Sequence, residues 1–460
     1  MATLKITKGL DIPVAGAPAG ELQELSANGR KLTPKFVALD FEPFVDSKPR
    51  LLVKAGEVVK RGQPLVEDKG IEGVMFASPA SGVVQEVRRG LKRRLLDLVI
   101  EVSEKEEIHN WGSLDVKTVS KEKLLERMKE GGVFPHIRQR PFDKLADPGK
   151  TPRDIFVRAL DTAPFAPPME MQVKGHEEDF QIGLDALAKL TSGKVHLVYE
   201  AGTSFKPFTD AKNVQTHTIE GPHPAGLSST HIHYIAPITH VDDTVWTLSA
   251  RDVVVLGHLL RTGEYLVDRV ISIAGPGIID GKTGYFRVRA GQQVENLIAG
   301  RVSKGIMRFV SGDLLTGSKV ESNGFLGFYH TQLAVLPESV EREMLHFFRL
   351  GINKYTASHT YLSGFLDNKE RSYEFNTSNH GEHRGFVIAK MYDKVMPMNI
   401  PTMQLMKALQ GEDYDTAEKL GLLEVAPEDF ALGTFVCPSK QELCEIVRKG
   451  LANYASEVLA

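Results

Sequence analysis

The sequence predicts a multidomain α/β protein, and three observations lead to that fold class. Its 460 residues exceed the roughly 250–300 that one hydrophobic core covers, so several domains are expected. Between residues 51 and 84, short apolar runs alternate with glycine and proline turns, which is typical of a barrel-sandwich module. From residue 154 to about residue 265, strand and helix signals alternate and indicate a Rossmann-like layer around a parallel sheet.

Four parts follow along the chain. We expect a barrel-sandwich (biotinyl/lipoyl-like) module without an attached cofactor at 1–110, and a Rossmann-like α/β domain at 111–265. Strand signals at Val270–Ala274 and Phe286–Arg289 predict a small β-grasp (SLBB-like) module at 266–330. A mainly helical C-terminal domain at 331–460 completes the prediction.

Local signals assign several elements within these parts. Ser120 is a predicted N-cap, and the helix after it is expected to end at Gly131. The apolar run Val253–Leu256 is interpreted as the third strand of the parallel sheet, and Glu338–Leu350 as a helix. Ser439 is a predicted N-cap for the last helix.

The segment that contains Lys69 resembles the hairpin on which biotinyl and lipoyl carrier domains attach a cofactor. In lipoyl domains the modified lysine lies symmetrically between the two strands of that hairpin. Lys69 instead follows closely behind Gln63 and Pro64 and lies well before Pro79. We therefore expect a docking scaffold without a swinging arm, and a carrier protein modified on Lys69 stays as the alternative.

Composition excludes several classes of protein. The formal net charge of −3 argues against nucleic acid as a partner. Only two cysteines occur, so no disulfide framework is expected. The first residues lack the apolar core of a signal peptide, and no run approaches the ~20 apolar residues of a membrane helix. We therefore expect a soluble chain without a membrane span.

The sequence predicts no catalytic, cofactor-binding or metal-binding residues in this chain. The nearest match to a dinucleotide loop, Gly275-Pro276-Gly277, lacks the third glycine, and its proline cannot donate an amide hydrogen to a phosphate. An iron–sulfur cluster usually needs several closely spaced thiolates, which Cys437 and Cys444 do not supply.

A group of histidines is one candidate contact site. His223 precedes the sequence His231-Ile232-His233, and His240 follows. On a strand, His231 and His233 would point to the same face, where they could meet a metal ion or a polar head group. The alternative is a surface loop whose histidines form local hydrogen bonds.

A second candidate combines two cations with an aromatic ring beside prolines. Arg138, Arg140 and Phe142 could contact a quinone head group, a lipid head group or an acidic neighbour. The alternative is an ordinary basic loop, because scattered surface charge is common.

Several segments together resemble one known family. They are GLDIPVAG from Gly9, SPASGVV from Ser78, RQRPFDK from Arg138, GPHPAGLSSTHIHY from Gly221, ISIAGPG from Ile271, VMPMNIPTM from Val395 and FVCPSK from Phe435. In this order they resemble the A subunit of the bacterial sodium-translocating NADH:quinone oxidoreductase. The chain is also similar to the C subunit of the Rnf complex and to the flavin-bearing NADH subunit of respiratory complex I.

The resemblance implies a role within a six-subunit membrane complex. That complex oxidises NADH, passes electrons through FAD, FMN, riboflavin and iron–sulfur centres on other subunits, reduces ubiquinone and exports Na⁺. The A subunit is expected at the cytoplasmic face of the inner membrane, bound to subunits B to F. It would carry no redox centre and would support the quinone-reducing end, with ubiquinone itself as a further contact. A Rnf-like accessory subunit is the alternative.

Overall fold

The computed structural model describes residues 3–27, 30–340, 344, 348–366, 371–386 and 388–458. It contains a barrel sandwich, an α/β layer, a small β-grasp-like sheet and a helical C-terminal region, which confirms the predicted fold class. The helix predicted at Glu338–Leu350 lies partly outside the described residues, at 341–343 and 345–347. Within the described part of the chain, no helix is both long enough and apolar enough to cross a bilayer.

The barrel sandwich packs two antiparallel sheets against each other. One sheet has the order β5-β11-β10-β7 and the other the order β6-β8-β9. Leu65, Phe76, Val84 and Leu98 are fully buried in this packing. The first eleven strands are β1 (Thr3–Lys5), β2 (Leu22–Glu24), β3 (Ser26–Ala27), β4 (Arg30–Lys31), β5 (Phe36–Asp40), β6 (Pro49–Leu51), β7 (Val58–Val59), β8 (Pro64–Asp68), β9 (Met75–Ala77), β10 (Gly82–Arg89) and β11 (Leu95–Val102).

The α/β layer is built on a seven-stranded sheet. Its elements are α1 (Lys121–Glu130), β12 (Arg138–Arg140), β13 (Lys144–Leu145), β14 (Asp154–Ala159), α2 (Met169–Val173), α3 (Glu177–Ala188), β15 (Val195–Glu200), α4 (Lys206–Thr209), β16 (Gln215–Glu220), α5 (Ser228–Ile235), β17 (Val245–Ser249) and α6 (Ala250–Thr262). The strand order is β1-β16-β15-β14-β17-β12-β13. The first five strands in this order are parallel, and β12 runs antiparallel to β17.

The two faces of this sheet belong to different cores. Successive strand residues point to opposite faces. In β14, Ile155 and Val157 point to the face that α3 and α6 cover, in a core that continues into the barrel sandwich. Phe156 points to the face that α5 covers, in a core shared with the C-terminal helices. We call them the α3/α6 face and the α5 face.

The first residues connect the sheets to one another. Thr3–Lys5 adds a parallel strand beside β16 at the edge of the α/β sheet. Leu22–Glu24 adds a parallel strand to the β-grasp sheet. The N-terminal segment therefore crosses two other domains before the barrel sandwich begins at β5.

The β-grasp sheet has the order β2-β19-β18-β22-β20-β21. Its elements are β18 (Asp268–Ala274), β19 (Gly284–Arg289), α7 (Val294–Ile298), β20 (Met307–Ser311), β21 (Ser318–Val320) and β22 (Gln332–Pro337). The C-terminal helices that the structure describes are α8 (Ala389–Asp393), α9 (Thr402–Gln410), α10 (Tyr414–Lys419), α11 (Ala431–Val436) and α12 (Leu443–Val458).

Capping chemistry explains which local predictions were right. The Ser120 side chain accepts a hydrogen bond from the Lys123 amide, so the predicted N-cap is confirmed. The run Val253–Leu256 is helical, and its assignment to a strand was wrong, because Ser249 and Asp252 form a capping box that starts α6. This helix is buried on nearly all sides, so its sequence lacks the alternation of apolar and polar residues that distinguishes a helix from a strand. Ser439 is not the cap of the last helix, which begins at Leu443.

Candidate functional site

The segment that contains Arg138 and Arg140 forms the antiparallel strand β12 and the turn after it. Asp143, in that turn, receives hydrogen bonds from both guanidinium groups. The Arg138 guanidinium also lies over the Tyr329 ring of the β-grasp module, 6.0 Å from the ring centroid. Burial alone would raise the pKa of Asp143, but the charges of Arg138 and Arg140 outweigh it and hold that pKa at about 2.

Arg140 joins the α/β layer to the C-terminal helices. Its side chain is only 2% exposed, and its Nη2 lies 3.7 Å from Glu428 Oε1. The same Nη2 donates to Ser229 Oγ, 3.3 Å away, at the start of α5. The guanidinium therefore bridges three separate parts of the chain.

The acidic side of this bridge carries two adjacent carboxyl groups. Burial, assisted by the neighbouring Glu428 charge, raises the pKa of Asp429 to about 7. Burial also raises the pKa of Glu428, against the opposing charges of Arg158 and Arg140. Asp429 accepts a hydrogen bond of 2.6 Å from the Ala426 amide. We call Arg140, Asp143, Glu428 and Asp429 the Arg140 cluster.

Phe142 packs into the same junction. Its side chain is buried in the core of the α5 face, and its ring centroid lies 5.9 Å from that of Tyr454 on α12. Its backbone has a φ of 76°, which a bulky residue rarely adopts. The structure therefore brings Arg138, Arg140 and Phe142 together, and buries two of them beneath the C-terminal helices.

Three histidines of the candidate histidine group have separate partners. His223 Nδ1 lies 3.1 Å from Thr162 Oγ1. His231 is fully buried, and its Nε2 lies 2.9 Å from the Ala225 carbonyl oxygen. His233 Nδ1 lies 2.7 Å from Glu424 Oε2 of the C-terminal region. Burial lowers the pKa of His223, and it lowers the pKa of His231 to about 3.

The expectation of a strand for His231 and His233 was wrong. Both lie on α5, where positions two apart point to different sides of the helix. One ring therefore enters the core, while the other reaches a carboxylate on the C-terminal region.

The crevice at the carboxyl ends of β14 and β17 is the place where Rossmann-like sheets usually bind ligands. Here the connection from β14 to α2 reads LDTAPFAPP, without glycine and with three prolines. Thr162 in this connection accepts a hydrogen bond of 2.9 Å from the Gly226 amide. A Cβ at Gly226 would lie 2.7 Å from the Thr162 nitrogen, so the two segments are in close backbone contact.

The other side of the crevice is the start of α6, where Asp252 lies. This residue completes the capping box with Ser249, and its Oδ1 lies 2.8 Å from His136 Nδ1. His136 Nε2 lies 2.8 Å from the Tyr265 hydroxyl. Burial lowers the pKa of His136, so the neutral ring donates to Asp252 and accepts from Tyr265.

Two polar groups in this region were not predicted from the sequence. They are the His136–Asp252 pair and the carboxyl groups of Glu428 and Asp429. The spacing Ser249-x-x-Asp252 is a capping-box signal that would have placed the start of α6. Glu428 and Asp429 carry no such signal, because their partner Arg140 lies in a distant part of the sequence.

Lys69 and the two cysteines occupy ordinary structural positions. Lys69 is exposed directly after β8, and its amide donates to the Lys48 carbonyl oxygen at 3.0 Å. Cys437 and Cys444 are free thiols. Cys437 is buried against the Tyr392 hydroxyl, and burial raises the pKa of Cys444 to about 11.

Three family models match successive parts of the chain. The model described as the NqrA N-terminal barrel-sandwich hybrid domain matches residues 4–103. The model of the NqrA second alpha/beta domain matches residues 119–265. A third model, described as the NQRA C-terminal domain, matches residues 270–322.

Curated relatives match along almost the whole chain. The A subunit of the Na(+)-translocating NADH-quinone reductase from Chlamydia caviae is 40% identical, with 99% of this chain and 97% of the relative covered. The subunits of the same name from Yersinia pestis and Cellvibrio japonicus are each 37% identical, with 99% of this chain and 100% of the relative covered.

A solved NAD⁺-reducing NiFe-hydrogenase in its air-oxidised state is 11% identical, with a TM-score of 0.31, over 51% of this chain and 52% of that chain. That likeness supports no structural argument. The full-length relatives and the three domain matches show that the chain belongs to the A-subunit family of the Na(+)-translocating NADH-quinone reductase.

Proposed function

We propose that this chain carries no redox centre and supports the quinone-reducing end and the assembly of the complex. Subunits B to F then hold FAD, FMN, riboflavin and the iron–sulfur centres, and the chain docks on them at the cytoplasmic face of the membrane. One observation carries the proposal: the crevice in which a Rossmann-like sheet usually binds a nucleotide is closed by the chain's own residues.

The first wall of the crevice lacks the donors that a phosphate needs. Dinucleotide sites place glycine-rich backbone there, so that amide hydrogens can approach the pyrophosphate. Pro164, Pro167 and Pro168 have no amide hydrogen, and Thr162 is already bonded to Gly226 and His223.

The second wall carries a negative charge. The hydrogen bond from His136 and the charge of Arg251 outweigh the effect of burial and keep the pKa of Asp252 low. Its carboxylate lies in the first turn of α6, where a phosphate would otherwise accept the free amide hydrogens. The capping box already uses the amide hydrogens of Ser249 and Asp252, so a phosphate would have to displace these hydrogen bonds.

The Gly275-Pro276-Gly277 turn also packs directly against another part of the chain, Val335 in β22. A Cβ at Gly277 would lie 2.7 Å from Val335 Cγ1, and the Gly277 amide donates to the Val335 carbonyl oxygen at 2.9 Å. These glycines therefore allow β18 and β22 to approach closely.

The experiment is a cofactor assay on the purified chain. We expect no flavin after acid extraction, no iron or acid-labile sulfide, and no quenching of NADH fluorescence on titration. Stoichiometric flavin or saturable NADH binding would contradict the proposal. Neither the relatives nor the fold supports the carrier alternative, and an unmodified Lys69 in the intact mass of native protein would exclude it.

We also propose that the segment with Arg138, Arg140 and Phe142, together with His223, His231 and His233, faces the quinone-reducing end. Phe142→Ala would then raise the apparent KM for quinone and leave NADH oxidation by artificial acceptors unchanged. Phe286→Leu, in the β-grasp core, is the control for a general loss of packing. Unchanged quinone kinetics in folded Phe142→Ala would leave this segment with a purely structural role.

A further inference from the structure

Two histidines and one aspartate converge on the α3/α6 side of the α/β layer. His176 precedes α3, Asp179 lies in its first turn, and His258 lies near the end of α6. Asp179 Oδ2 lies 3.1 Å from His176 Nδ1 and 2.9 Å from His258 Nδ1. The three ligand atoms all lie within 4.8 Å of one another.

Both Nδ1 atoms face the same oxygen, Asp179 Oδ2. The two imidazole planes are at 81°, with centroids 6.0 Å apart, so the rings meet edge to face. Neighbouring ligand atoms of a tetrahedral Zn²⁺ ion lie about 3.3 Å apart when the bonds are about 2.0–2.1 Å long. The observed separations of Asp179 Oδ2 from the two nitrogens are therefore only a few tenths of an ångström short of that spacing.

The helices hold these residues rigidly. A Cβ at Gly257 would overlap the carbonyl oxygen of Asp179, and a Cβ at Gly183 would overlap the carbonyl oxygen of Val253. The backbones of α3 and α6 are therefore in direct contact beside His258. Sites built on packed helices keep their ligand geometry better than sites on loops.

The charges around the cluster are compatible with a cation. The Asp179 side chain is 1% exposed, and its carboxylate is the anionic group between the two imidazoles. Arg261 Nε donates to Oδ1 at 2.5 Å, which leaves Oδ2 for a metal. A ligating carboxylate commonly accepts such an outer hydrogen bond. His176 and His258 side chains are 21% and 16% exposed, so solvent can reach the centre.

We propose that His176, Asp179 and His258 form a binding site for Zn²⁺, with both Nδ1 atoms and Oδ2 as ligands and a fourth position open to water. Two imidazoles and one carboxylate are a donor set that Zn²⁺ and similar transition metals accept, whereas Mg²⁺ prefers oxygen ligands alone. The metal would replace two hydrogen bonds by coordination and would join α3 to α6.

The first test is a Zn²⁺ titration of metal-free, full-length protein against a chromophoric chelator. We expect one equivalent to bind, and His176→Ala to weaken binding by at least about tenfold, since even loss of an outer hydrogen-bond partner costs about 10–100-fold. His176→Ala removes no cap, because this side chain makes no cap hydrogen bond. His240→Ala is the matched control, since that exposed histidine pairs with Asp242 alone in this part of the structure.

A second test needs no variant. Diethyl pyrocarbonate modifies free imidazoles, so Zn²⁺ should protect the peptides with His176 and His258 while the peptide with His240 stays reactive. Mg²⁺ should protect none of them. The proposal is overturned if Zn²⁺ binds equally to wild type and His176→Ala, if it does not bind, or if it fails to protect both histidines.

Discussion

The two faces of the seven-stranded sheet are buried by different chemistry. On the α3/α6 face, Ile155, Val157 and Leu197 lie in an apolar core that continues into the barrel sandwich. On the α5 face, Arg158 and His196 alternate with those residues in the same strands, and the Arg140 cluster joins this face to the C-terminal helices. Apolar packing therefore attaches the barrel sandwich to one face of the sheet. Ion pairs contribute to attaching the C-terminal helices to the other face.

This difference has a consequence for pH. Apolar packing has no protonation equilibrium, so the contribution of an apolar side chain such as Leu197 should be the same at pH 5 and at pH 8. The Arg140 cluster contains Asp429, whose pKa burial and the Glu428 charge raise to about 7. The attachment of the C-terminal helices should therefore weaken as Asp429 loses its proton.

The largest expected effect is on the apolar face. Leu197→Ala removes a fully buried side chain and should lower the free energy of unfolding by about 2–5 kcal/mol, because it leaves a cavity. Its loss should be the same at pH 5 and pH 8. Calorimetry of the two variants Leu197→Ala and Val198→Ala, which are neighbours on opposite faces, measures this. A strong pH dependence for Leu197→Ala would break the contrast between the faces.

Next in size is the loss of the bridging cation. Arg140→Met removes the cation beside Asp143, Glu428 and Asp429. It should lower the free energy of unfolding by about 2–4 kcal/mol, which is somewhat less than for breaking a fully buried pair, because Glu428 is 38% exposed. Hydrogen exchange should accelerate in α8–α12 and stay unchanged in α3. Arg448→Ala is the control, because that arginine forms an exposed pair with Glu445 and should cost under about 1 kcal/mol. Equal effects of the two variants would contradict a structural role for the cluster.

The smallest effect is a change in pH profile. Asp429 has a folded pKa of about 7 against 3.8 for the free group, so the native state holds a proton that the unfolded state releases. The contribution of Asp429 to stability should therefore fall as the pH rises from about 4 to about 7. Asp429→Asn should remove this slope and be more stable at pH 8 by about 1–3 kcal/mol. The measurement is the free energy of urea unfolding against pH for wild type and Asp429→Asn. If the two curves are parallel, Asp429 ionises with an ordinary pKa.

Much of the architecture could be predicted from sequence because it follows from local patterns. Turn residues between short apolar runs predicted the barrel sandwich, and Ser120 predicted the start of α1. The run Val253–Leu256 misled because a helix buried on all sides has no apolar period. The β1 and β2 pairings could not be predicted, because they join residues far apart in the chain.

The candidate site was predictable only in part. Arg138, Arg140 and Phe142 do lie together, but their partner Glu428 carries no local signal. The convergence of His176 and His258 on Asp179 depends on how α3 and α6 pack, and the sequence spacing of the three residues does not show it.

The place of this chain in the complex is tested most directly by recovering it, tagged, from detergent-solubilised native membranes. We expect flavin-bearing partner subunits and Na⁺-stimulated NADH:quinone reductase activity to be recovered with it. Recovery of the chain alone, from the fraction without membranes and without that activity, would contradict its role as a working part of the complex.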